Sequence, residues 1–172
     1  MATDRSDKVF EMGREAGDKY DYFMAGLAGA LAAYVGEHFH PTHLVWLSPT
    51  ALEAAAVLSF IISLIGGVKR IETAAHVLRL NYTVIHTAET IGKLSDVAHQ
   101  PGQTFLNIET GDVLDSAGAR EIIPDFEKLR KHAQDELRGA SYRASRYAIT
   151  RDVFLVLGLC ALLASRVWQA VM

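Results

Sequence analysis

Apolar residues fall into three blocks, Tyr22 to Gly36, Ala51 to Val68 and Val153 to Ala170. The stretches between Val68 and Val153 instead space their apolar positions as helices do. A helix rising 1.5 Å per residue needs about 20 residues to cross about 30 Å of hydrocarbon. Ala51 to Val68 approaches that length. Its interior, Ala54 to Ile65, has only Ser59 and Ser63 as polar groups, and both can bond back to the helix. Tyr22 to Gly36 is shorter and rich in small residues, so alone it would gain little from lipid. Small residues four apart let membrane helices approach closely, which makes Ala25, Gly26, Gly29 and Ala33 the predicted helix-packing face. This block is expected to cross as half of a hairpin with Ala51 to Val68. The third block is apolar from Val153 to Ala164 and continues through Arg166 and Trp168. An Arg one turn from a helix end snorkels to the headgroups, where Trp also favours the interface.

Beyond Gly66-Gly67, Ile71, Ala75, Leu78, Tyr82 and Ile85 recur at spacings of four and three. Val77, Val84, Ala88 and Ile91 form a second stripe. After Pro124 a matching pattern runs through Phe126, Leu129, Ala133, Leu137, Ala140, Ala144 and Tyr147. Two helices follow from this, Lys69 to Ser95 and Asp125 to Arg151, each about 40 Å long and paired antiparallel. Pro101 and Pro124 bracket the segment between them. There Phe105-Leu106-Asn107-Ile108 and Asp112-Val113-Leu114 flank Glu109-Thr110-Gly111, a pattern suited to a small β-hairpin. Thr50-Ala51-Leu52-Glu53 reads as a capping box opening the second block.

The predicted fold class is an all-α integral membrane protein with three transmembrane helices. Two of these continue into a long antiparallel cytoplasmic stalk with a small tip. The expected segments are an N-terminal region 1–21, a transmembrane hairpin 22–68, a stalk 69–151 with its tip at 96–123, and a C-terminal span 152–172. The alternative for such apolar blocks is the buried core of a soluble three-helix protein.

Charge sets the expected orientation. Residues 38–50 contain no Lys or Arg, whereas Lys69 to Arg151 carries twelve of the seventeen. The positive-inside rule then keeps the N-terminus and the central region cytoplasmic and sends the C-terminus outside a cell inner membrane. The formal net charge of −3 averages an acidic N-terminus with this basic region. Asp4, Asp7, Glu11, Glu15, Asp18 and Asp21 give the first 21 residues the wrong sign for a basic leader. The single cysteine, Cys160, excludes an intrachain disulfide and is expected to behave as a small hydrophobe in hydrocarbon.

Few side chains suggest chemistry. His38, His40 and His43 could share a metal ion in a tight loop. With Glu37 the only nearby acid, an interfacial loop anchored by Trp46 is the favoured reading and no metal is expected. Glu53 is a candidate for a ring of charge at a pore mouth, although the capping box also accounts for it. Arg138, Arg143, Arg146 and Arg151 cluster ahead of the third block, where each is worth about 1 kcal/mol against an anionic leaflet. Together with Trp46 and Trp168 they are the predicted lipid-anchoring residues. There is no Gly-rich phosphate loop, no paired-Cys motif and no acid or base in the interior of a span that resembles a proton relay, which argues against a nucleotide-driven pump or a proton-coupled transporter. No catalytic residue and no cofactor is expected. The expected partners are membrane lipids, further copies of the chain, and a soluble cytoplasmic protein or signalling ligand. Nucleic acid is not expected.

Arg70 with His76, and Arg79 with His86, stand with five and six residues between them and resemble the short Arg-His motif of HEPN ribonucleases. That resemblance implies RNA cleavage at a dimer interface. Ile71 and Leu80 fill the position where those enzymes place a polar residue. From Tyr22 to about Leu94 the order of elements resembles SLATT-type membrane effectors of bacterial conflict systems. The shared features are a small-rich first helix, a short outer loop, the span Ala51 to Val68, and then Val68-Lys69-Arg70-Ile71-Glu72. The third span departs from that pattern. The resemblance implies a pore that opens on infection. The leading functional expectation is therefore an oligomeric membrane effector forming or gating an ion-permeable pore. The alternatives are a non-conducting scaffold that recruits a soluble partner, and a membrane-tethered ribonuclease.

Overall fold

A computed structural model describes residues 2–39, 48–99, 105–106 and 113–171, with side chains from Arg14 onward in the helices. Among these the chain is helical: α1 (Ala2–Glu37), α2 (Pro49–His99) and α3 (Ser116–Val171). Two two-residue segments, β1 (Phe105–Leu106) and β2 (Val113–Leu114), pair antiparallel with Phe105 opposite Leu114 and Leu106 opposite Val113. The expected hairpin turn, Glu109-Thr110-Gly111, lies outside the described residues.

Helix ends are set by local chemistry. Ser48 caps α2, its Oγ accepting from the Ala51 N–H at 3.2 Å, and Pro49 takes the first helical position, where no N–H is needed. The capping box expected at Thr50 to Glu53 is thus displaced by two residues, and Glu53 is free for another role. Asp115 caps α3 by accepting from the Gly118 N–H at 2.8 Å. That cap starts the helix ahead of Pro124, which sits inside it and was expected to end the tip. The cost is one backbone hydrogen bond, and the tip is shorter than the predicted 96–123. His38 closes α1 by hydrogen-bonding the Tyr34 carbonyl through Nδ1 at 2.8 Å.

Helices α2 and α3 are long and apolar enough to cross a membrane. Of these apolar stretches, 33% in α2 and 22% in α3 is buried within the chain. Length and composition support two spans, not the three expected, because α1 owes its apolar half to Ala and Gly.

Two compact units emerge. The first comprises Met1–Thr73 with Arg143–Met172, the second Ala74–Tyr142. The first has a core of Ala28, Val35, Ala56, Phe60 and Leu155, against which Met24, Leu27, Leu31, Leu64 and Leu162 pack. Of the four predicted packing residues, Ala25 is buried, Gly29 half-buried, and Gly26 and Ala33 exposed. The second unit is built on Leu94, Val97, Ala98 and Ala119, with Ile122, Ile123 and Phe126 against them. Arg120 donates to the Ala98 carbonyl at 2.9 Å, satisfying an end-of-helix acceptor on α2. Of the two apolar stripes on α2, Val77, Val84 and Ile91 of the second are half-buried. Leu78, Tyr82 and Ile85 are exposed, while Leu80, Thr87 and Leu94 are buried.

Candidate functional site

The first unit concentrates its polar groups in two clusters. One forms where α1, α2 and α3 meet around Arg151, whose side chain is 2% exposed. Glycines make room for it. A Cβ on Gly66 would stand 3.3 Å from the Arg151 nitrogen, and one on Gly67 would stand 3.0 Å from the Ala25 Cβ and 3.5 Å from the Arg151 Cδ. Two successive residues without side chains therefore admit an arginine stem where a larger pair would exclude it. Ser63 donates to the Arg151 carbonyl at 2.8 Å and fixes the level of α3 against α2.

The guanidinium donates through Nη1 to Asp21 Oδ1 at 2.6 Å and through Nε to Asp152 Oδ1 at 2.8 Å, and it lies 5.2 Å from the centre of the Tyr20 ring. Arg70 Nε stands 3.3 Å from the other Asp21 oxygen. That Arg70 N–H is buried without an aligned hydrogen bond, so this second pair is held by charge and not by geometry. Two cations and two carboxylates leave the cluster neutral, which is the condition for burying an arginine. Burial disfavours the Arg151 charge, but the hydrogen bonds to Asp152 and Asp21 outweigh it and push the guanidinium up from its ordinary value. Arg151 is a permanent cation.

The second cluster surrounds Glu53. Its Oε1 lies 3.2 Å from Ser165 Oγ and 3.2 Å from Gln169 Nε2, and Ser165 Oγ also reaches the Pro49 carbonyl at 3.1 Å. Glu53 and Ser165 are buried. These contacts tie the start of α2 to the end of α3.

Between the clusters, residues 22–36, 54–68 and 153–164 contain no charged side chain. At 1.5 Å per residue, Asp21 to Glu37 covers about 24 Å, Glu53 to Arg70 about 26 Å, and Arg151 to Gln169 about 27 Å. All three approach the hydrocarbon thickness of a bilayer, about 30 Å.

Several predicted site residues take other roles. Arg151 is not a lipid anchor: Asp21 and Gly67 bury it inside the bundle. Arg138, Arg143 and Arg146 are exposed. Trp168 is exposed beside Leu163, Ala164, Val167 and Val171, and Trp46 lies outside the described residues. Glu53 points into the bundle and not toward a pore mouth. Gly29 contacts Leu64 of the same chain, where an added Cβ would stand 3.8 Å away. His40 and His43 lie outside the described residues, among which no group of three or more His, Cys, Asp or Glu could hold a metal. Of the Arg-His pairs, Arg70 is engaged by Asp21, His86 stacks on Tyr82 with ring centres 5.8 Å apart, and His76 and Arg79 are exposed.

The Asp21–Arg151 pair was missed because its members are 130 residues apart. The one local signal was Gly66-Gly67 inside an unbroken helical pattern, a mark of close approach. No family model matches the chain, and no curated protein or solved structure matches it either.

Proposed function

We propose that the chain is a multi-pass inner-membrane protein that serves as a scaffold. Its three-helix bundle is the anchor, and its helices between 74 and 142 stand in the cytoplasm to recruit a soluble partner. The direction in which the polar groups of the bundle point carries this reading. Asp21, Glu53, Ser63, Arg151 and Ser165 all face inward. The exposed surface of the spans is made of Leu58, Ile61, Ile62, Ile65, Val153, Val156, Leu157 and Leu163. An apolar exterior suits lipid. A pore assembled from several copies would have to be lined by these same faces, and a narrow apolar constriction closes by dewetting.

Three further observations support the finer points. The charge-free run between Asp21 and Glu37 matches that between Glu53 and Lys69 on α2, which supports α1 as a third span despite its weak hydropathy. The paired segments Phe105–Leu106 and Val113–Leu114 support a small hairpin at the cytoplasmic tip. The skew of Lys and Arg supports an N-terminus inside and a C-terminus outside.

Reconstitution tests the reading. Liposomes containing the purified chain should hold a potassium gradient as well as empty ones, with residues 74–142 open to protease on the side corresponding to the cytoplasm. A sustained ion leak would overturn the scaffold in favour of the pore effector.

A further inference from the structure

Within Ala74–Tyr142, α2 carries two apolar seams on opposite faces. The first is Leu80, Thr87 and Leu94, buried and seven residues apart, with Val84 and Ile91 half-buried between them. The second is Ala75, Leu78, Tyr82 and Ile85, at spacings of three, four and three, and all four are exposed. Leu78 is 37% exposed, Tyr82 69% and Ile85 51%. In a seven-residue repeat whose inward positions are these four, Leu80 and Thr87 fall at the position farthest from the seam. The second seam therefore has coiled-coil spacing and is not used by the chain's own hydrophobic core.

We infer that this seam pairs two copies of the chain side by side, with both α2 helices running in the same direction. The inference rests on the membrane reading given above and adds the partner. The small area of the seam and the membrane reading together select this occupant. The seam is small: with about 200 Å² for each large side chain, the exposed fractions amount to about 300 Å². A standard interface needs about 800 Å² per partner, so a freely diffusing soluble helix would be held poorly here. Two copies rooted in one leaflet are already concentrated and aligned, and need less contact to stay together.

Charge selects the direction. Arg79 and His86 flank one side of the seam, while Ala74, Asn81 and Ala88 flank the other. Running parallel, each Arg79 faces an Ala74 and each His86 an Asn81. Running antiparallel, the two Arg79 side chains would face each other and repel. The repeat stops at Glu89 and Gly92, which limits the contact to about three turns. Tyr82 sits at its centre with its ring stacked on His86.

Site-directed crosslinking in native membranes tests the pairing. Starting from Cys160→Ser, Tyr82→Cys should give a disulfide-linked dimer on mild oxidation. Gln134→Cys, exposed on α3 away from the seam, should give at least about ten times less. Adding Leu78→Asp and Ile85→Asp to Tyr82→Cys should abolish the dimer. Equal dimer from the Tyr82→Cys and Gln134→Cys variants, or none from Tyr82→Cys, overturns the inference while leaving the membrane reading in place. An adduct of the Tyr82→Cys variant with a different protein overturns it in favour of a soluble helix as occupant. Release of the chain by alkaline carbonate instead marks failure of the membrane reading, so the two failures are distinct.

Discussion

Gly158→Ala tests the bundle most directly, because the expected penalty can be worked from one contact. A Cβ at Gly158 would stand 2.6 Å from Phe60 Cε1, 2.8 Å from Cδ1 and 3.1 Å from Cζ. Carbon atoms pack best at about 3.5–4.0 Å, so the ring would have to retreat by close to an ångström. Phe60 is completely buried and belongs to the same core as Ala28, Ala56 and Leu155, and so has little room to move. Overpacking of this kind costs about 1–3 kcal/mol, against which the better helix propensity of Ala returns up to about 1 kcal/mol. Gly26 provides the internal control. A Cβ there meets nothing within 4 Å, so Gly26→Ala should be neutral or slightly stabilising. The assay is reversible unfolding of the purified protein in mixed micelles, with helical circular dichroism followed against the fraction of denaturing detergent. Gly158→Ala should unfold earlier by about 1–2 kcal/mol, and Phe60→Leu should relieve part of that loss in the double variant, giving a coupling energy of about 1 kcal/mol. If the two Gly→Ala variants unfolded together, or Phe60→Leu gave no relief, the packing described for α2 against α3 would be wrong.

Other variants examine the polar clusters and the exposed apolar surface. Removing one member of a buried ion pair costs about 3–5 kcal/mol, so Asp21→Asn should be strongly destabilising by the same assay. Asp21→Asn with Arg151→Gln should cost less than the sum of the single changes, and strict additivity would show that the pair is not buried together. Glu53→Ala leaves Ser165 only the Pro49 carbonyl and removes the acceptor of Gln169 Nε2, and should cost about 1–3 kcal/mol, while Glu53→Gln keeps an acceptor and should cost less. The reverse order would remove Glu53 from the contact between α2 and α3. Cys160 is exposed on an apolar face, so in intact membranes it should resist a charged thiol reagent and react with it only after solubilisation. Prompt labelling in membranes would put that face in water.

The helical character of the chain, the apolar blocks of α2 and α3, and the continuity of α2 through Gly66-Gly67 were legible in the residue pattern, because each depends on near neighbours. A run of apolar residues or a repeat of threes and fours is local information. Which stripe of an amphipathic helix turns inward is not. Ile71, Ala75, Leu78, Tyr82 and Ile85 are the more apolar stripe of α2, yet Leu80, Thr87 and Leu94 are the buried one. The rotation of a helix is decided by the shape of what packs against it. The caps show the same limit at shorter range, since Ser48 and Thr50 are equally suitable residues and Pro49 at the first helical position decided between them.

Electrostatics was least legible of all. Asp21 reads as the last of a series of exposed acids, and Arg151 as the last of a series of headgroup-binding arginines. Only the fold brings them to 2.6 Å, across a gap that two glycines and one alanine leave open. Composition by itself determined that the chain holds stretches fit for hydrocarbon and that its cations gather in the segment between them, since transfer between water and lipid acts on each segment separately. Tertiary structure alone decided which charges are sheltered and which apolar faces stay uncovered. Burial is a property of pairs of surfaces, and no single segment carries it.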